Sequence, residues 1–264
     1  MNRDSSVGSL AWRVATIVAY LVMIAVNGLA NSLPLFGRTT GEVSNLYPTL
    51  FTPAAFTFAV WGVIYFLLGG FVVFQALPAR RAEKLLMVVR PLFVLSSVLN
   101  VLWLISWHAL ALPLSELLMV ALLVVLVLLN LRVVAGRGSA QATERWWVSL
   151  PFSIYLGWIS VATIANTAIL LVSRGFDGGT WAPLMTLVVV VAALALGLWA
   201  IAIRRDVGYA LVVAWGLAGI AAARAWGDRP DATVGAAASI AAGVLVVVAV
   251  AALLSRRRAK LLAR

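Results

Sequence analysis

The chain has 264 residues, 64% of them hydrophobic and 11% charged, with a mean hydropathy of +1.05. That composition excludes a soluble globular domain and places the chain in a bilayer. The net charge of +11 would suit nucleic acid in a soluble protein, but here the basic residues sit in the short gaps between apolar runs, which excludes a nucleic-acid partner. With no Cys, disulfides, thiolate metal sites and thiol catalysis are excluded as well.

Eight stretches approach or exceed the roughly 20 apolar residues that a spanning helix requires. In chain order they are Val14 to Leu35, Ala55 to Leu77, Leu92 to Leu112, Leu114 to Val134, Trp147 to Val172, Trp181 to Ile203, Val207 to Ala223 and Val234 to Leu254. The fold class expected is therefore an all-α polytopic membrane protein with eight transmembrane helices. Gly28-Leu29-Ala30 has the small-residue spacing of a signal-peptidase site, but the run before it is longer than a signal h-region, and Asn27 and Asn31 give it a polar face suited to a bundle. The first helix is expected to be retained.

Basic residues assign the sides. With both termini cytoplasmic, 16 of the 20 Lys and Arg residues fall on the inner side, leaving Arg38, Arg174, Arg224 and Arg229 outside. Such a bias, alternating at every loop, predicts an even number of spans in a bacterial cytoplasmic membrane.

Tryptophans divide by depth. Trp12, Trp146, Trp147, Trp181, Trp199 and Trp226 lie near span ends, as an aromatic belt does. Trp61, Trp103 and Trp158 lie too deep for their indole N–H groups to reach the interface and need internal partners. Helical spacing groups them with neighbours. Phe51, Phe58, Trp61 and Tyr65 form one stripe, Asn100, Trp103 and Trp107 a second, and Tyr155, Trp158, Ala162 and Asn166 a third. Bundle packing with Asn as interhelical glue explains any one stripe. Three at matching depth, each joining aromatics to hydrogen-bonding groups, point toward a pocket for a flat apolar ligand.

These residues also carry a resemblance. Trp158-Ile159-Ser160-Val161-Ala162-Thr163-Ile164-Ala165-Asn166, Leu99-Asn100-Val101-Leu102-Trp103, and Thr52-Pro53 through Phe56, Phe58, Val60-Trp61 and Tyr65 resemble, in order, motifs of the tryptophan-rich sensory protein or translocator protein family, TspO/MBR. The motifs lie within the first 173 residues. Departures include one Pro where the family has two, Phe56 at a Trp position, and no Pro after Trp103. The chain thus resembles a divergent, extended member: residues 1–173 as a family-like five-helix region and 174–264 as a three-helix membrane extension. No sterol pattern follows the fifth span.

The resemblance implies a five-helix bundle that binds porphyrins or other flat hydrophobic ligands under the loop joining helices 1 and 2. By motif position Trp61, Asn100, Trp103, Trp158 and Asn166 would contribute; the stripes add Phe58, Tyr65, Trp107 and Tyr155, and the loop adds Arg38 over the outer mouth. No catalytic residue, metal site or cofactor is expected. His108, the only His, could meet Glu116 across one outer turn, and an interfacial role suits both better than catalysis. The reading is an integral membrane binding or sensory protein for a hydrophobic, porphyrin-like tetrapyrrole, not an enzyme. A small secondary transporter is the alternative. Small-residue ridges at Ala214, Ala218 and Ala222 and at Gly235, Ser239 and Gly243 permit close helix contact within the chain or in a homodimer.

Overall fold

A computed structural model describes residues 3–80, 84–135 and 142–262. Arg81, Arg137 and Arg264, counted above on the inner side, lie outside them. The described residues form helices and connecting turns, with no strand among them. We label the long helices α1 (Arg3–Ser32), α2 (Val60–Ala76), α3 (Lys84–His108), α4 (Leu112–Ala135), α5 (Leu150–Ser173), α6 (Ala182–Ala202), α7 (Val207–Trp226) and α8 (Ala232–Leu262). Each contributes a segment long and apolar enough to cross a membrane, so the protein is an all-α, multi-pass membrane protein with eight candidate spans.

The helix contacts sort into two compact units, one made of Met1–Val43 and Val60–Ile159, the other of Ser44–Ala59 and Ser160–Arg264. The division falls inside α5 rather than after residue 173. It does so because the second half of α5 and the segment before α2 both find their packing partners among the last helices.

In the first unit α1 packs along α3 and touches α2, while α3 pairs with α4. Phe71 of α2, Phe93 of α3 and Phe152 of α5 form a buried trio with ring centroids 4.9–6.1 Å apart. Lacking a hydrophobic drive between helices in lipid, such bundles depend on close packing and on polar groups that satisfy one another. Asn27 of α1 donates from Nδ2 to Asn100 Oδ1 of α3 at 2.9 Å, with both residues buried. Tyr20 donates to the Tyr65 carbonyl at 2.9 Å, and Gly69 leaves room for its ring, since a Cβ there would stand 2.6 Å from Tyr20 Oη.

Helix α3 begins two turns before the span expected from the sequence and continues through Pro91. The reason lies in Arg90, which sequence reading counted as a loop charge. Its side chain is fully buried and donates to Gln75 Oε1 at 2.9 Å, to the Gln75 carbonyl at 3.1 Å and to the Arg80 carbonyl at 3.3 Å. Arg13 donates to the Ala76 carbonyl beside them. Two guanidinium groups thus meet the carbonyls left open at the C-terminus of α2, where the helix dipole favours a cation.

In the second unit α7 packs against α8, and α6 against both. Its core runs through Val190, Val213, Leu217, Ile220, Ala238 and Leu245, with Phe51 and Val161 joining from earlier in the chain. Small residues set the spacing. A Cβ on Gly197 would meet the tip of Leu245 at 2.6 Å, and one on Gly216 would meet Val161 at 2.9 Å. On Gly219 it would overlap the Thr57 hydroxyl and approach Thr57 Cβ to 3.0 Å. The Gly219 carbonyl also accepts from the Ala54 amide at 3.0 Å.

Leu245 can swing its methyl groups aside, whereas Thr57 meets Gly219 at its branch point and is held by that backbone bond. Gly219→Ala is therefore expected to destabilise by about 1–3 kcal/mol, as overpacking does, and Gly197→Ala by distinctly less. Thermal unfolding of both variants in the same detergent checks the order.

Candidate functional site

The first unit gathers aromatic side chains from three helices around Trp61. Its ring stacks on Tyr65 of α2 at 5.3 Å and on Trp103 of α3 at 6.1 Å. It meets Tyr155 and Trp158 of α5 edge to face at 5.9 and 6.3 Å. Trp103, Tyr155 and Trp158 are buried and Trp61 is half-buried. All five positions come from the three stripes seen in the sequence, and the helix register brings their rings together: Trp61 and Tyr65 are four residues apart, Tyr155 and Trp158 three, so each pair shares a face.

A polar group lies against this aromatic cluster. Asn100 sits one turn before Trp103 on α3 and is fully buried. Its Oδ1 accepts from Asn27, and it lies beside both the Tyr65 and Tyr155 phenols. Asn100 Nδ2, Tyr65 Oη and Tyr155 Oη are all buried, yet none completes a well-aligned hydrogen bond among the described residues. Leaving one such group unsatisfied costs on the order of 1–3 kcal/mol. Three at one point, under a set of stacked rings, are equipped to bond polar atoms on the edge of a flat molecule.

The segment following α1 lies over the end of α3. Trp107 stacks on Trp103 at 6.2 Å and donates from its indole nitrogen to the Thr40 carbonyl at 3.2 Å. His108 Nε2 lies 3.1 Å from Thr40 Oγ1. His108 is fully buried against this segment, a setting that sequence reading did not foresee when it considered Glu116 as its neighbour. The contacts form a continuous series from Thr40 through Trp107 and Trp103 to Trp61.

Thr40 opens a short helix, Thr40–Asn45, that was expected to be loop. The sequence signal is Thr39-Thr40-Gly41-Glu42, a capping box. The Thr39 amide donates to Glu42 Oε2 at 2.7 Å, and the Glu42 amide donates to Thr39 Oγ1 at 3.3 Å. The Thr39 amide and then its hydroxyl, with Arg38 nearby, hold the Glu42 carboxyl below the usual carboxylate range.

The remaining sequence candidates fall elsewhere. Phe58 lies in the 3-10 turn Ala55–Ala59, just before α2 starts at Val60. Phe51 precedes that turn and belongs to the core of the second unit. Asn166 is buried on the second half of α5, in the second unit. Arg38 is half-buried in the segment over α3. Trp215, whose place the sequence left open, donates to the Thr57 carbonyl at 2.9 Å and meets Phe56 edge to face at 5.6 Å. The belt tryptophans Trp12, Trp146, Trp147, Trp181, Trp199 and Trp226 are exposed, as expected at span ends.

Indoles from three helices over a carboxamide and two phenols match the order of the motifs noted above, and a family model described as TSPO-like protein matches residues 13–251. The chain belongs to the TSPO-like family. The match extends well past residue 173 into α8, so the last three helices lie within it rather than outside it. No curated protein and no solved structure matches significantly.

Because the folded-state pKa of Glu42 is depressed, its contribution to the Thr40–Asn45 cap is present above the normal carboxylate pKa and is lost as pH falls through the lowered one. Amide exchange of Thr40–Asn45 is expected to accelerate over that acidic range in the native chain. In Glu42→Gln the acid-dependent part should disappear, and an unchanged pH profile would show that the box does not hold the helix.

Proposed function

We propose that this TSPO-like membrane protein binds a flat hydrophobic ligand of porphyrin type in its first unit, as a binding or sensory protein and not as an enzyme. The observation that carries the reading is the buried trio of Asn100 Nδ2, Tyr65 Oη and Tyr155 Oη beneath the rings around Trp61. Indole and phenol faces supply stacking area, and the three polar atoms supply donors and acceptors for a heteroatom-bearing edge. Arg38, in the half-buried segment before Thr40, is assigned to the ligand's carboxylates. The distribution of Lys and Arg supports placement in the cytoplasmic membrane of a bacterium with both termini inside.

Soret-band titration of a dicarboxylic porphyrin and its dimethyl ester tests this. Trp158→Ala removes a large stacking surface and should weaken binding of both by about tenfold or more. Tyr65→Phe with Tyr155→Phe deletes two hydroxyls that lie against Asn100 without a well-aligned bond. It should change thermal stability little while lowering affinity about fivefold or more. Arg38→Ala should weaken the free acid more than the ester, in a salt-dependent manner. Full affinity in the double Tyr variant, together with full affinity in Trp158→Ala, would assign these side chains to packing alone.

A further inference from the structure

The segment leading into α5 is unusual in its geometry. Arg145–Ser149 forms a π-helical turn before the regular helix begins. A π turn shifts the register of the side chains that follow, and such turns are frequent at functional sites. Here it carries two successive indoles. The Trp147 ring lies over Gly70 of α2, where a Cβ would overlap it, while Trp146 is 65% exposed.

Together with Phe66, Leu67 and Thr143, these two indoles line a groove of about 310 Å3. Thr143 is its one polar lining residue, and Phe66 is 75% exposed, so the groove opens on the outside of the unit and not toward the Trp61 cluster. Phe66 precedes the last residue of α2 by ten positions. At 1.5 Å per residue that is roughly 15 Å, about half the hydrocarbon thickness of a bilayer and so the depth of one leaflet.

The helix ends on the side that the basic residues mark as cytoplasmic carry Arg80, Lys84, Arg132 and Arg145, with Glu144 3.7 Å from Arg80. Arg145 is exposed and immediately precedes Trp146 at the start of the π turn. An apolar groove with one hydroxyl in its lining and an exposed guanidinium next in sequence to one of its indoles has the polarity of a single phospholipid: chain against the rings, phosphate at the basic helix end.

We propose that this groove is a binding site for one acyl chain of an anionic phospholipid, whose headgroup phosphate is met by Arg145 and the Thr143 hydroxyl. The π turn builds the site. It sets Trp147 against Gly70 as the floor and leaves Trp146 as the outer wall.

Native mass spectrometry of the whole chain, extracted in mild detergent and supplied with equal amounts of phosphatidylglycerol and phosphatidylcholine of the same chain length, tests the proposal. The wild-type chain should retain one phosphatidylglycerol in about fivefold preference, the value of one basic side chain at a membrane surface. Arg145→Gln should erase the preference while a lipid is still retained. Thr143→Trp, an exposed position, should fill the groove and reduce retention of both lipids, with monodispersity and thermal unfolding checked first. Equal retention of the two lipids by the wild-type chain overturns the headgroup assignment without need of any variant. Unchanged retention in a folded Thr143→Trp overturns the groove.

Discussion

A polar group inside hydrocarbon has no water to bond, and nearly everything distinctive in this protein follows from how that constraint is met. Asn100 is the point where it is felt most strongly. It stands fully buried among residues of α1, α2 and α5, bonded to Asn27 and flanked by two phenols. The Asn27–Asn100 bond ties α1 to α3 one turn from Trp103, which stacks on Trp61. The same rule operates at the basic end of the unit, where Arg90 and Arg13 satisfy the last carbonyls of α2. Neither solution is complete: Arg13 Nε at the one place and Asn100 Nδ2 at the other are buried without an aligned partner among the described residues.

The aromatic side chains divide the work by exposure. Those around Trp61 pack on one another, two face to face and two edge to face, with Asn100 against them. Those at span ends face outward. Trp147 is the exception among the belt residues, since its ring is committed to Gly70 and thereby shapes an external groove. One residue type therefore contributes both to an internal cluster and to an external groove.

The segment between α1 and α2 is held by local and tertiary bonds of different kinds. A capping box starts the Thr40–Asn45 helix, and Thr40 itself is held by Trp107 and His108 from α3. Because Trp107 also stacks on Trp103, the position of this segment and the position of the rings are mechanically linked.

The sequence by itself determined the class, the eight spans and the belt tryptophans, because hydropathy and length respond only to the bilayer. It also located Trp61, Tyr65, Asn100, Trp103, Tyr155 and Trp158, because helical periodicity places residues three and four apart on one face whatever that face meets. It counted Arg90 as a loop charge, because burial of a guanidinium depends on carbonyl partners supplied by another helix. The capping box over Thr39–Glu42 was written in the sequence and unread amid a loop. What only the tertiary structure decided is which faces meet: that three stripes converge on Trp61, that Asn100 finds Asn27, that the contacts divide within α5, and that a π turn sets Trp147 on Gly70. Those pairings depend on distances between helices far apart in the chain, and no local pattern of residues encodes them.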